Sequence, residues 1–132
     1  MKNILFLLFT LSVCFAYADK PEYTYMDGSG NKYELLGNML HYAPVKKENS
    51  SSGEYSGGEP AEIEISSSDV KKIKSLINKA VKATDDQIEH REMGTGMIIH
   101  NAKKGEKIYI LKMDSAPKKD LEEFLKSLVN NK

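Results

Sequence analysis

Three histidines, His41, His90 and His100, are the side chains whose ordinary pKa lies near neutrality, so acid–base or metal chemistry would begin with them. No two stand four apart, the spacing that turns a helical pair toward one ion. His90 sits in Glu89-His90-Arg91-Glu92, where an imidazole and a carboxylate are close enough along the chain to serve as acid and base. A small hydrolase using His90 or His100 with these neighbouring carboxylates is the alternative reading of the chain. The plainer reading of such a charged run is a solvated surface.

Nucleophilic chemistry finds little support. The single cysteine, Cys14, lies in an N-terminal apolar run, and the serines cluster at 50–56 and 66–68. Gly53-Glu54-Tyr55-Ser56-Gly57 lacks the Gly-x-Ser-x-Gly elbow that presents a serine for attack. Asp27-Gly28-Ser29-Gly30-Asn31 places oxygen-bearing side chains at alternate positions, with Glu34 beyond, as a calcium loop does. That loop also needs glycine at its sixth position and glutamate at its twelfth, and Lys32 and Asn38 stand there instead. The segment reads as a hairpin turn, which needs Asp, Gly and Asn anyway. Met93-Gly94-Thr95-Gly96-Met97 lacks the Gly-Lys-Ser/Thr ending of a phosphate loop and runs into Ile98-Ile99, a strand and not a helix. No catalytic residue, metal ligand or cofactor site is assigned, and the expected role is non-enzymatic.

Tyrosine is the residue type left with an unassigned role. Tyr23, Tyr25, Tyr33, Tyr42 and Tyr55 all precede residue 60. A tyrosine ring packs while its hydroxyl stays wet, which suits binding surfaces. These five are the expected binding residues, with Tyr55 as the natural anchor.

The elements that must position these residues follow from pattern. Residues 22–36 read as two strands around the 27–31 turn, and 38–45 as a third extended piece. Residues 46–60 are rich in serine and glycine and read as a long flexible loop. Ala61-Glu62-Ile63-Glu64-Ile65 alternates as a half-buried strand. Ser66 and Asp69 then form a helix start, and Val70, Ile73, Ile77, Ala80 and Val81 share one face of a helix over about 67–83. Met97 to His100 and Ile108 to Leu111 make a hairpin joined through 101–107, its second strand apolar on both faces and so expected inside the sheet. Ser115 and Pro117 open a last helix with a stripe of Leu121, Phe124, Leu125, Leu128 and Val129, and Glu122 is spaced to pair with Lys126. The fold class is α+β: two helices on one face of a largely antiparallel sheet, in a single domain.

Length and charge bound the rest. The chain has 132 residues, 19 basic and 19 acidic side chains and a pI of 6.8. This excludes a multidomain protein, and the absence of a basic field argues against nucleic acid as a partner. Residues 1–18 carry Lys2, an apolar run from Ile4 and the small residues Ala16 and Ala18, the pattern of a secretory signal peptide cut after Ala18. The apolar run is too short for a membrane span, and no transmembrane segment is expected in the mature chain. Leu11-Ser12-Val13-Cys14 resembles the bacterial lipoprotein box, but Val13 stands where a small residue belongs. Removing 1–18 takes Lys2 and no acid from a balance of 19 against 19, leaving a net charge of −1 and no cysteine. Stability must then come from the apolar core and not from disulfides. The expected protein is a small periplasmic or secreted binding, inhibitory or accessory protein whose partner is another protein or a cell-envelope macromolecule.

Overall fold

The computed structural model describes residues 19–132; the expected signal peptide, residues 1–18, lies outside the described residues. The first three strands are β1 (Tyr23–Met26), β2 (Lys32–Leu36) and β3 (Met39–Ala43). Extended backbone suits their aromatic content, and each turn between them contains a glycine with positive φ, Gly30 at 91° and Gly37 at 59°. After the 46–60 segment come β4 (Ala61–Glu64) and the helix α1 (Ser67–Lys82). Ser66 caps α1 by accepting from the Asp69 amide at 3.1 Å.

The second half contains β5 (Gln87–Ile88), β6 (Gly96–Ala102), β7 (Gly105–Leu111) and the helix α2 (Ala116–Asn130). Ser115 caps α2 through the Lys118 amide, with Pro117 in the first turn, where no amide is missed. The seven strands of the described residues form one antiparallel sheet in the order β4-β3-β2-β1-β6-β7-β5, so the two halves of the chain meet at the β1–β6 pair. The chain is thus a single α+β domain with both helices on one face of the sheet. Among the described residues, no helix is long and apolar enough to cross a membrane.

Period two decides what the helices cover. Tyr23 and Tyr25, Tyr33 and Leu35, and Leu40 and Tyr42 stand two apart on adjacent strands. They pack with Ile98 and Leu111 against Ile73, Ile77 and Ala80 of α1 and Leu121 and Leu125 of α2. The opposite face carries Glu34, His41, Glu62 and Glu64 on one side and Met26, Met97, Ile99, Ile108 and Ile110 on the other.

Two expectations are corrected. β6 and β7 pair as far as Ala102 and Gly105, so Lys103 and Lys104 alone join them instead of a 101–107 connection. β7 lies inside the sheet, between β6 and β5, but only at Ile110 and Leu111, where the short β5 pairs with it. Its second apolar face, Ile108 and Ile110, lies on the open side of the sheet, where Ile108 is 53% exposed.

The close approach of β6 to its neighbour tests the packing. A Cβ on Gly96 would collide with the Tyr25 hydroxyl. Gly96→Ala is expected to lower stability in urea unfolding by about 1–3 kcal/mol, as overpacking does. Combining it with Tyr25→Phe should produce a loss smaller than the sum of the two single losses.

Candidate functional site

Four of the five expected binding tyrosines lie beneath the helices. Tyr25 and Tyr33 are 2% and 3% exposed, and Tyr23 and Tyr42 are buried with them. Tyr33 stands 4.9 Å from Tyr42 and 6.4 Å from Tyr25 between ring centroids, forming an aromatic row across β1, β2 and β3. Tyr23 stacks on His100 at 4.5 Å. The expectation that these four present a binding surface is therefore corrected: their strand phase is that of Leu35 and Leu40, so they point into the core. Tyr55, at 40% exposure, is the one that a partner could reach.

Buried phenols need hydrogen-bond partners, and the fold supplies them to Tyr25 and Tyr42. The Tyr25 hydroxyl donates to Glu122 Oε1 at 2.7 Å, and Lys118 Nζ approaches the same oxygen at 3.0 Å. Glu122 thus pairs with Lys118 instead of the expected Lys126, and both side chains are largely buried. Burial, followed by the Glu122 carboxylate, pushes the Tyr25 phenol well above its ordinary value. Burial likewise raises Tyr33, Tyr23 and Tyr42.

A second polar cluster ties the 46–60 segment to the sheet. Asp27 is buried and spends its carboxylate locally. Oδ1 accepts from the Ser29 and Asn31 amides, and Oδ2 from the Asn31 side chain, each at 2.9 Å. Asn31 Nδ2 also donates to the Tyr55 hydroxyl at 2.8 Å, while its Oδ1 accepts from the Val45 amide at 2.9 Å. Tyr42 donates to the Gly57 carbonyl at 2.7 Å, and a Cβ on Gly57 would strike Asn31 and Pro44. The loop is therefore anchored at residues 55–57, while residues 51–54 are exposed. Arg91 closes the far side by donating to the carbonyls of Asp27 and Thr95 at 3.3 and 3.2 Å.

Tyr55 consequently stands at the junction of two clefts. One, of about 440 Å³, is lined by Gly28 to Gly30, Asn49 to Ser51, Tyr55 and Arg91. The other, of about 230 Å³, lies between Tyr33, Tyr42, Tyr55 and the Lys126–Asn130 end of α2. Asn31 and Arg91 lie in the 27–31 turn and the 89–92 charged run, but neither pattern points to the 46–60 segment or to Tyr55. Lys118 and Glu122 do carry a signal, because 118, 121, 122 and 125 follow the same helical spacing as the apolar stripe.

The histidines are dispersed. His90 is exposed in the 89–95 connection, and His100 faces the helices against Tyr23. Among the described residues, the histidine within 4.0 Å of a carboxylate is His41, 3.5 Å from Glu62 on the open face. No group of three His, Cys, Asp or Glu side chains suited to a metal occurs among the described residues. Comparison with family models, characterised proteins and solved structures finds no match.

Two measurements follow from these contacts. The four raised tyrosines keep their protons in the folded state above the ordinary phenol value of 10.0. The unfolded chain binds fewer protons there, so stability present below that pH falls as pH rises above it. In an alkaline titration, phenolate absorbance beyond that of the exposed tyrosines should appear together with unfolding. Asn31→Ala should cost about 1–3 kcal/mol by leaving buried partners unsatisfied. It should also speed proteolytic cleavage within residues 48–56, measured under native conditions.

Proposed function

We propose that this is a small exported, non-enzymatic protein that binds another macromolecule, as an inhibitor or accessory protein, through the surface around Tyr55. The observation that carries this reading is that Tyr55 is exposed, yet fixed by Asn31 at the rim of two clefts. An aromatic anchor held before binding loses little conformational freedom on association, which favours recognition. Ser50, Ser51, Asn49 and Arg91 around it offer polar contacts for the rim of an interface, fitting a protein or a cell-envelope macromolecule. Export rests on the leader pattern of residues 1–18. The separation of His90 from His100, each without a carboxylate in ion-pair range among the described residues, supports binding over hydrolysis.

The test places a photocrosslinking phenylalanine at position 55 in the full chain, expressed in the cells that make it, with Lys119 on α2 as the control position. A discrete adduct from position 55 and none from 119 is the expected outcome. Tyr55→Ala in a competing copy should abolish its ability to suppress that adduct while leaving its thermal melt nearly unchanged. No adduct at 55, or the same adduct from 119, would remove the reading.

A further inference from the structure

We infer that β4 takes an additional strand from a partner: an extended polypeptide segment in which lysine or arginine alternates with apolar residues. Among the described residues, β4 is the terminal strand of the sheet and pairs only with β3. Asn38 accepts from the Ile65 amide at 2.8 Å, and β3 pairs Leu40 with Ile63 and Tyr42 with Ala61. In an antiparallel ladder, hydrogen-bonded residues alternate, so the amides and carbonyls of Ala61, Ile63 and Ile65 face β3. Those of Glu62 and Glu64 face outward, with no strand beside them among the described residues.

A groove of about 630 Å³ runs along this edge between the start of α1 and the end of α2, and includes Ile63, Ile65, Phe124 and Leu128. Its charged side chains are Glu62, Glu64 and Asp69 against Lys132. The two faces of an added strand would therefore meet different surroundings. Side chains beside Ile63 enter the groove next to Ile65, Phe124 and Leu128, and side chains beside Glu62 and Glu64 meet carboxylates on the open face. Basic and apolar residues in alternation satisfy both.

A second copy of this chain fits poorly. Two β4 edges brought together about a two-fold axis would set Glu62 and Glu64 against their own counterparts. β7 of another copy, added with its open face on the same side, would oppose them with Glu106 and Ile108. This site is separate from Tyr55 and does not depend on the reading given for it.

The experiment adds a synthetic peptide of about eight residues alternating lysine and valine, a length matched to a short edge strand, to the mature chain labelled for amide detection. The Glu62 and Glu64 amides should become protected from exchange. A peptide alternating glutamate and valine, and a lysine–valine peptide N-methylated on its pairing amides, should leave them unprotected. Glu64→Pro removes an outward amide without touching the β3 ladder, a substitution that edge strands tolerate. It should weaken peptide binding about tenfold beyond the loss in Glu64→Gln, which keeps the amide. Equal binding of the N-methylated or acidic peptide would overturn the inference. So would binding that leaves both amides exchanging freely, or concentration-dependent protection without peptide, which would assign the edge to a second copy.

Discussion

A tyrosine ring buried between sheet and helix gains apolar contacts but brings a hydroxyl into a layer where water is scarce, and that hydroxyl must bond to something. The Tyr25–Tyr33–Tyr42 row imposes this requirement at both ends, and each end is met by a different part of the chain. At one end, Glu122 accepts from Tyr25, and a buried carboxylate in turn demands a cation, which Lys118 provides one helical turn earlier. The path of Tyr25 to that carboxylate passes over β6 where only glycine leaves room, so Gly96 belongs to the same arrangement.

At the other end, Tyr42 reaches the Gly57 carbonyl, fixing a segment whose composition has little apolar surface to order itself. Asn31 completes the tie by bonding both Val45 and Tyr55. The hairpin turn, the serine-rich loop and the accessible aromatic ring are thus coupled through side-chain hydrogen bonds and not through a hydrophobic cluster. An anchor of this type holds the Tyr55 ring in place while leaving the adjoining loop tip solvated.

The helices account for one face of the sheet only, and the other is divided. Its β2–β4 side has the composition of a solvated face, with Lys32 and Glu34 at 2.9 Å and His41 near Glu62. Its β6–β7 side carries Met97, Ile99, Ile108 and Ile110, so the runs Met97–Ile99 and Ile108–Leu111 are apolar on both faces. A run that is apolar on both sides is the pattern of a strand between two layers, but here its second side faces away from the helices and Ile108 is exposed.

Much of this fold is legible in the sequence because local chemistry and global packing agree there. Ser66 and Asp69 begin α1, Ser115 and Pro117 begin α2, and the Asp27–Asn31 turn makes the first hairpin, each by bonds within a few residues. The candidate site was less legible for two distinct reasons. Amphipathicity makes the tyrosines look like surface residues, although Tyr33 lies two residues before Leu35 and Tyr42 two residues after Leu40, and strand phase outweighs side-chain type when one face is covered. The Lys118–Glu122 pair was likewise hidden by its charge, even though its helical spacing put it on the buried stripe with Leu121 and Leu125. Contacts between residues far apart in sequence, such as Asn31 with Tyr55, leave no periodic trace at all. They arise only once β1, β2 and β3 have brought the turn and the loop to the same end of the sheet.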